Sequence, residues 1–253
     1  MKIPFCIFLA CLNLLHGQAQ YIAHNAGLKD ECGAIFRADT NSKVIYLMFT
    51  AHDFADGKDS IIPILERNKV KASFFFTGDF YRHFPDIIAR LKANGHYLGA
   101  HSNKHLLYCD WIHRDSMLVS DEEIIKDLRA NYHEMRKFGI KKKDAVYFMP
   151  PYEWYNRHVV KLIESKGFTV VNFTPGTSSN ADYTTPEMAN YQDSKTILQK
   201  IYDYELNQPN GLNGFHLLIH FGCDAARTDK LYFYLDELIR NLKIKGYHFD
   251  RLW

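Results

Sequence analysis

Residues 71–105 read KASFFFTGDFYRHFPDIIARLKANGHYLGAHSNKH, and this stretch decides the fold. It holds two short apolar runs, ASFFFT (72–77) and HYLGA (96–100), with the length and aromatic content typical of buried strands. Between these runs the apolar residues of DIIARLKANG (86–95) recur at helical spacing, and the final glycine stands where a C-terminal cap ends a helix. A strand, a helix and a second strand in this order predict two parallel strands joined by a right-handed crossover.

The same alternation continues along most of the chain. The further strand-like runs are VIYLMFT (44–50), AVYFM (145–149), FTVVNF (168–173), FHLLIH (215–220) and YHF (247–249). Amphipathic helical stretches lie between the runs, and the longest begins at Ser120 with Glu123 three residues later, the pattern of a capping box. About seven strands alternating with helices predict an α/β fold whose parallel sheet is covered on both faces.

The first 19 residues have the pattern of a signal peptide. They contain one lysine, an apolar run from Ile3 to Leu15, and small residues up to an expected cleavage site near Ala19. About a dozen apolar residues are too few to cross a bilayer, which needs roughly 20, so we expect export into the periplasm or the medium. Lipid attachment at Cys11 is the less favoured alternative. Residues 20–253 are then expected to form one domain.

Charge and cysteine content exclude several classes of partner and scaffold. The net charge is +2 with acidic and basic residues interspersed, so we expect neither nucleic acid nor an anionic membrane surface as a partner. Three cysteines remain after the signal peptide, Cys32, Cys109 and Cys223, and an odd number cannot all pair within the chain. The partner must therefore be sought in a binding site.

Polar residues follow the predicted strands at the points where the strands end. Asp53 follows the first long strand, His101 and His105 follow the HYLGA strand, and His220 ends the FHLLIH strand. Two histidines four residues apart face the same side of one helical turn and can bind one metal ion. Because parallel barrels build their sites at the carboxyl ends of the strands, we expect these side chains to converge. Two histidines and one carboxylate are the ligands of a hydrolytic zinc centre with a position open for water.

These motifs resemble those of the polysaccharide deacetylases with a NodB-homology domain, also called carbohydrate esterase family 4. The resemblance runs from about Val44 to His220 and includes residues 71–105 as one contiguous block. It implies a distorted (β/α)7–8 barrel of parallel strands. It also implies removal of acetyl groups from N- or O-acetylated polysaccharides or oligosaccharides by means of one divalent ion, commonly zinc.

The resemblance assigns the metal ligands residue by residue. Asp53, within the run Thr50-Ala51-His52-Asp53, corresponds to the metal-binding aspartate of the family's first motif. His101 and His105 correspond to the two metal-binding histidines, and Ser102 to the hydroxyl residue that braces their loop.

The resemblance also assigns residues to substrate and catalysis. Pro151 and Tyr152 resemble the Pro-Tyr motif in which the tyrosine's backbone N–H helps to form the oxyanion hole. His220 resembles the histidine that protonates the leaving group. Trp111 and Trp154 follow site motifs closely enough to be candidate platforms for a sugar ring.

Three positions depart from the family pattern. The family's catalytic base is an aspartate directly before the metal-binding aspartate, where this chain has His52, and the arginine that tethers this base is replaced by Met149. The motif that orients the catalytic histidine has no clear counterpart in residues 171–176. An arginine beside a neutral imidazole would lack its counter-ion, so the first two changes agree with each other. A neutral histidine can accept a proton from water, which predicts a general-base role for His52, with a fourth ligand or a structural residue as alternatives.

Two other functions stay open on the sequence. The lost base and orienting motif also fit a catalytically silent glycan-binding protein that keeps its metal, and the same barrel supports metal-dependent amidases that cleave other C–N bonds. The stretch Pro175–Asp193 has no periodicity and is predicted to be a functional surface loop that lines the groove. The sequence does not indicate an oligomeric state.

Overall fold

The structure, a computed structural model, describes residues 27–252, and the predicted signal peptide lies outside the described residues. Nine strands occur in this range: β1 (Leu28–Lys29), β2 (Ile35–Arg37), β3 (Val44–Ala51), β4 (Ser73–Phe76), β5 (Tyr97–Ala100), β6 (Tyr147–Phe148), β7 (Thr169–Val170), β8 (Phe215–His220) and β9 (His248–Asp250). Seven α-helices occur in the same range: α1 (Lys58–Asn68), α2 (Gly78–His83), α3 (Pro85–Ala93), α4 (Asp121–Lys137), α5 (Arg157–Ser165), α6 (Ser194–Asn207) and α7 (Leu235–Ile244).

The strands form one curled sheet in which parallel pairing dominates. Its order is β1-β2-β8-β3-β4-β5-β6-β7, and β9 pairs in parallel with the first residues of β3. A parallel bridge between Ile35 and Val171 joins β2 to the chain just after β7, with the Asn172 N–H donating to the Ile35 carbonyl at 2.8 Å. The two ends of the sheet therefore meet, which confirms the predicted α/β barrel.

The N-terminal edge of the sheet differs from the strictly parallel prediction. β1 and β2 pair antiparallel with each other, and β2 pairs antiparallel with β8 through Arg37 and Phe215. These strands are only two and three residues long, too short to give a periodic signal in the sequence.

The central strands are buried on both faces. All four residues of β4 are buried, as are all four of β5, because helices cover one face and the barrel interior the other. Stacked and edge-on aromatic contacts fill the space beneath the site, with Phe76 4.2 Å from Phe80 and 5.4 Å from Phe221 between ring centroids. This packing gives the strand ends a rigid support.

The helix boundaries follow the predicted signals. Ser120 and Glu123 form the capping box at the start of α4, with the Ser120 N–H donating to the Glu123 carboxylate at 2.8 Å. Gly95 has a φ of 76° after α3, a left-handed conformation that glycine adopts at least cost. Cys32, Cys109 and Cys223 are free and buried. Between residues 27 and 252, no helix has both the length and the apolar character that a membrane span requires.

Candidate active site

The candidate site lies where the central strands end. The parallel register places Ala51, Phe76, Ala100 and Phe148 side by side in successive strands. Thr50 pairs with His220 in the same layer. The residues that follow these positions therefore emerge at one rim of the barrel, as the sequence predicts.

His101 and His105 point ring nitrogens at each other across this rim. His101 is buried, and its Nδ1 lies 2.8 Å from the Met149 carbonyl oxygen. A carbonyl can only accept, so Nδ1 carries the hydrogen and Nε2 of the neutral ring keeps its lone pair. The two Nε2 atoms are 3.2 Å apart. Two nitrogens bound to one tetrahedral zinc at 2.0–2.1 Å would lie about 3.3 Å apart, so the pair fits a shared ion.

Burial keeps both imidazoles neutral. It lowers the pKa of His101 to about 3, and it lowers the pKa of His105 to about 2 with a further contribution from the neighbouring His101. Neutral rings offer the lone pairs that a metal ion requires.

The loop that carries the two histidines is not the predicted helical turn. Ser102 and His105 have φ values of 71° and 56°, which interrupt any helix. The Ser102 hydroxyl accepts the His105 N–H at 3.0 Å, which confirms its bracing role. The buried Asp127 carboxylate accepts the Asn103 N–H at 2.6 Å. The histidines converge through a tight loop held by side-chain acceptors.

His52 and Asp53 lie beside this pair. The His52 ring stacks on the His105 ring at 5.1 Å with an interplanar angle of 10°, and its Nδ1 lies 3.1 Å from the Thr77 hydroxyl oxygen. The Asp53 side chain is 65% exposed, with Oδ1 3.4 Å from His52 Nε2. Among residues 27–252, no three histidine, cysteine, aspartate or glutamate side chains are grouped as a complete ligand set. Asp53 as the third ligand therefore stays a prediction.

His220 has a carboxylate partner that the sequence did not identify. Asp182 Oδ1 lies 2.6 Å from His220 Nδ1, and Asp182 Oδ2 accepts the His220 backbone N–H at 3.0 Å. Burial of the ring lowers the pKa of His220, the Asp182 carboxylate raises it, and the net effect is a raised pKa. A ring that holds its proton more firmly is suited to act as a general acid.

Glu153 is a second carboxylate that sequence reasoning missed. It ends the short 3₁₀ turn Pro151–Glu153, in which Pro151 is buried. Its side chain is 9% exposed, and Oε1 lies 3.8 Å from His101 Nε2. Burial raises the pKa of Glu153 to about 7. The residue directly follows the Pro-Tyr motif, but neither spacing nor periodicity distinguishes it from a surface glutamate.

Aromatic rings extend from the histidine pair to the surface. The Tyr152 ring centroid lies 4.2 Å from that of His105 and 5.6 Å from that of Trp111. Trp111 in turn lies 5.5 Å from Trp154, and the Arg114 guanidinium stands 4.2 Å over the Trp154 ring. Trp111 is 53% exposed, which leaves one large apolar face open beside the site.

Comparison with models of known protein families assigns the chain to one of them. The model of the polysaccharide deacetylase family matches residues 37–171, a range that contains the histidine pair and the Pro-Tyr turn. The chain belongs to the polysaccharide deacetylase family.

Two bacterial relatives of this deacetylase family member match most of its length. An uncharacterised 30.6 kDa protein of Geobacillus stearothermophilus is 27% identical over 89% of this chain and 75% of its own length. The peptidoglycan-N-acetylmuramic acid deacetylase PdaA of Bacillus subtilis is 25% identical over 89% of this chain and 76% of its own length.

Solved structures of the family share the fold. A family 4 carbohydrate esterase pseudoenzyme from Bacillus anthracis superposes with a TM-score of 0.67 at 19% identity, covering 88% of this chain and 68% of the other. The structure of Bacillus subtilis PdaA superposes with a TM-score of 0.63 at 23% identity, covering 87% of this chain and 82% of the other. These likenesses support the barrel architecture.

Within this deacetylase fold the predicted residues are brought together unequally. His105 contacts both His52 and His101, so the three rings form a single cluster. Asp53 reaches that cluster only through His52. The only sequence signal for the partner of His220 was the long aperiodic loop that carries Asp182, since a functional loop is the usual reason for such a stretch.

Proposed function

We propose that this protein hydrolyses acetyl groups from N- or O-acetylated polysaccharides or oligosaccharides with the help of one bound divalent ion, zinc in the first place. The observation that carries the proposal is the 3.2 Å separation of the His101 and His105 Nε2 atoms at the rim of a deacetylase barrel. His101 is buried and His105 is half-buried, and both rings are held neutral, so their lone pairs are available to a metal ion.

His101 and His105 would hold the ion together with a carboxylate, which is Asp53 in the family pattern. When bound, a divalent ion polarises the acetyl carbonyl and acidifies water. The 3.2 Å spacing of the two nitrogens and their support by the Met149 carbonyl and the Ser102 hydroxyl favour such an ion.

His52 would act as the general base. The Thr77 hydroxyl oxygen, 3.1 Å from Nδ1, can accept the ring hydrogen and so leave the lone pair on Nε2. Nε2 lies on the Asp53 side of the ring, next to the proposed ion. There it can take a proton from water as the acetyl carbon is attacked.

His220 would protonate the departing amine or alcohol. Asp182 bonds to Nδ1, which leaves the other ring nitrogen, Nε2, to donate the proton. The backbone N–H of Tyr152 would stabilise the oxyanion, as the Pro-Tyr motif of the family implies. Trp111 and Trp154 would contact the neighbouring sugar residues.

Acetate release tests the proposal. Purified protein should release acetate from at least one substrate among acetylated chito-oligosaccharides, peptidoglycan and acetylxylan. Activity should be lost with a chelator, return with Zn²⁺, and be absent in His101→Ala. Retained activity in the folded His101→Ala variant would contradict the proposed centre.

One specific observation favours a second candidate function, that of a catalytically silent glycan-binding protein that keeps its metal. His52 and Met149 stand where the family pattern has an acid and an arginine, so the usual base is missing. Protein that binds Zn²⁺ and glycan but releases no acetate across the panel would identify this alternative.

A further inference from the structure

The Glu153 carboxylate is buried next to the histidine pair without a compensating donor. Its Oε1 lies 3.8 Å from His101 Nε2, and the side chain is only 9% exposed. Between residues 27 and 252, no hydrogen bond to either carboxylate oxygen is present. Buried carboxylates are normally hydrogen-bonded, paired with a cation, or bound to a metal. A carboxylate with so little solvent access, 3.8 Å from His101 Nε2 and without a hydrogen-bond donor, requires an explanation.

The backbone that presents Glu153 is strained. Tyr152 and Glu153 have φ values of 59° and 52°, so two successive residues with side chains adopt the left-handed region. Residues with a Cβ are strained in this region. The Asn172 side-chain amide donates to the Glu153 carbonyl at 3.1 Å and holds the turn in place. Strain of this kind is maintained where it positions a functional group.

We propose that Glu153 moves in to become a third ligand of the ion held by His101 and His105, an inference that rests on the proposed function. No set of three such side chains is already formed among residues 27–252, so ion binding would draw the Glu153 carboxylate onto the pair. Two ligand atoms bound to one ion at 2.0–2.2 Å lie about 3 to 4 Å apart. The distance of 3.8 Å from Glu153 Oε1 to His101 Nε2 falls in that range.

The surroundings of the two candidate carboxylates differ in a way that favours Glu153. Asp53 is 65% exposed and its carboxylate faces His52. Water can solvate Asp53, whereas the Glu153 side chain is 9% exposed and has His101 Nε2 at 3.8 Å. An ion between His101 and Glu153 would add positive charge beside a carboxylate that otherwise has His220 and Asp182 as its charged neighbours.

Zinc affinity measured by titration calorimetry tests this inference without reference to turnover. Glu153→Gln keeps the size of the side chain and removes its charge. Loss of even an outer-shell partner lowers metal affinity 10- to 100-fold, so Glu153→Gln should weaken Zn²⁺ binding at least about 100-fold. Glu153→Asp should bind more tightly than Glu153→Gln because it keeps a carboxylate. The matched control is Glu205→Gln on α6, which removes the carboxylate that pairs with Lys245. This control should leave the affinity for Zn²⁺ unchanged.

Two further measurements keep the result interpretable. Thermal unfolding of the metal-free variants establishes that each is folded, and the visible spectrum of the Co²⁺-loaded protein reports the ligand set directly. The Co²⁺ spectrum should change in Glu153→Gln and stay the same in Glu205→Gln. Wild-type affinity and an unchanged spectrum in folded Glu153→Gln would overturn the inference.

Failure of the inference and failure of the proposed function give different results. If the wild type binds Zn²⁺ and releases acetate while Glu153→Gln binds equally well, only the inference falls. If the wild type binds Zn²⁺ and Glu153→Gln does not, the inference holds even when no acetate is released. A wild type that binds no Zn²⁺ overturns both the ligand role and the metal dependence.

Discussion

The Asp182 carboxylate lies 2.6 Å from His220 Nδ1 and also accepts the His220 backbone N–H. The two contacts fix both the tautomer and the orientation of the ring, because Nδ1 must carry a hydrogen toward the carboxylate. A residue 38 positions away in the chain therefore leaves Nε2 as the His220 nitrogen available for the proposed proton transfer.

Asp182→Asn should slow acetate release by roughly 100-fold or more, because positioned acid catalysis contributes about 10²–10⁴-fold. Asp182 raises the pKa of His220, and an acid must be protonated to act. The alkaline limb of the pH–rate profile should therefore move to lower pH in the variant. Asp203→Asn on α6 is the control. A variant with an unchanged alkaline limb would show that Asp182 does not support the acid.

Because His52 and Met149 both depart from the family pattern, substitutions at the two positions should have coupled effects on the pH dependence of activity and on stability. A histidine base works only when neutral, so wild-type activity should be lost in acid at a higher pH than the activity of a variant with a carboxylate base. The double variant His52→Asp, Met149→Arg restores the family pattern, and its acid limb should extend toward pH 4 to 5, as carboxylates ionise there. Acetate release measured from pH 4 to 9 distinguishes the two profiles. A wild-type acid limb that coincides with that of the double variant would exclude a histidine base.

The single variants of this pair control for the charge argument. Met149 is fully buried, so Met149→Arg alone would bury a cation beside neutral imidazoles and should cost about 3 kcal/mol or more of unfolding free energy. The double variant should recover much of this loss, since the new aspartate supplies a counter-ion. Chemical denaturation of the four proteins gives the coupling energy. Purely additive losses would mean that the two positions do not interact.

Local patterns predicted most of the fold. The runs at 44–50, 72–77 and 96–100 became β3, β4 and β5 with shifts of one residue at most. Their continuous apolar runs predict that these strands are buried on both faces. β1 and β2 could not be predicted in the same way, because they are held by pairing with distant strands rather than by their own pattern.

The site was predictable only where its residues lie close in sequence or follow strands. His101 and His105 came from their spacing, although positive φ values at Ser102 and His105 make their loop irregular. Asp182 and Glu153 act through contacts with residues far along the chain, His220 and His101. Such contacts depend on how loops fold onto the barrel, and no periodic pattern records them.

Arg227 anchors the loop that carries Asp182, so its loss should affect both stability and activity. The guanidinium is fully buried and donates to the carbonyls of Thr184 at 2.7 Å and Gln192 at 3.0 Å. Arg227→Met should cost about 3 kcal/mol of unfolding free energy, because buried carbonyls lose their donor. Faster proteolysis within residues 175–193 and slower acetate release should accompany the loss.

The matched control for Arg227 is Arg240→Met on α7. Arg240 forms an exposed ion pair with Asp236 at 3.2 Å, and exposed pairs contribute about 0.5 kcal/mol. Equal effects of the two substitutions on urea unfolding would argue against a specific anchor.

His96 should make the fold sensitive to acid. Burial, with a contribution from Lys71, lowers the pKa of His96 to about 4, below the ordinary value near 6.5. The stability that this neutral ring contributes is complete above pH 6.5 and is lost as the pH falls toward 4, a change of about 3 kcal/mol. His96→Asn keeps an acceptor for the Ala72 N–H and should make the unfolding free energy less steep between pH 6.5 and 4. An unchanged slope would contradict the assignment.

Trp111 should determine how well long substrates bind. Its ring is 53% exposed and lies 5.5 Å from that of Trp154, over which the Arg114 guanidinium stands at 4.2 Å. A sugar ring that stacks on this face would lie beyond Tyr152, one or more residues from the cleaved acetyl group. Trp111→Ala should therefore raise KM about 10-fold for oligosaccharides and leave the rate on a monosaccharide or a small acetyl ester unchanged. The control is Phe233→Ala, which removes another exposed ring that does not belong to the group of Tyr152, Trp111 and Trp154. An equal loss of activity on short and long substrates would mean that Trp111 supports the turn Pro151–Glu153 rather than a sugar subsite.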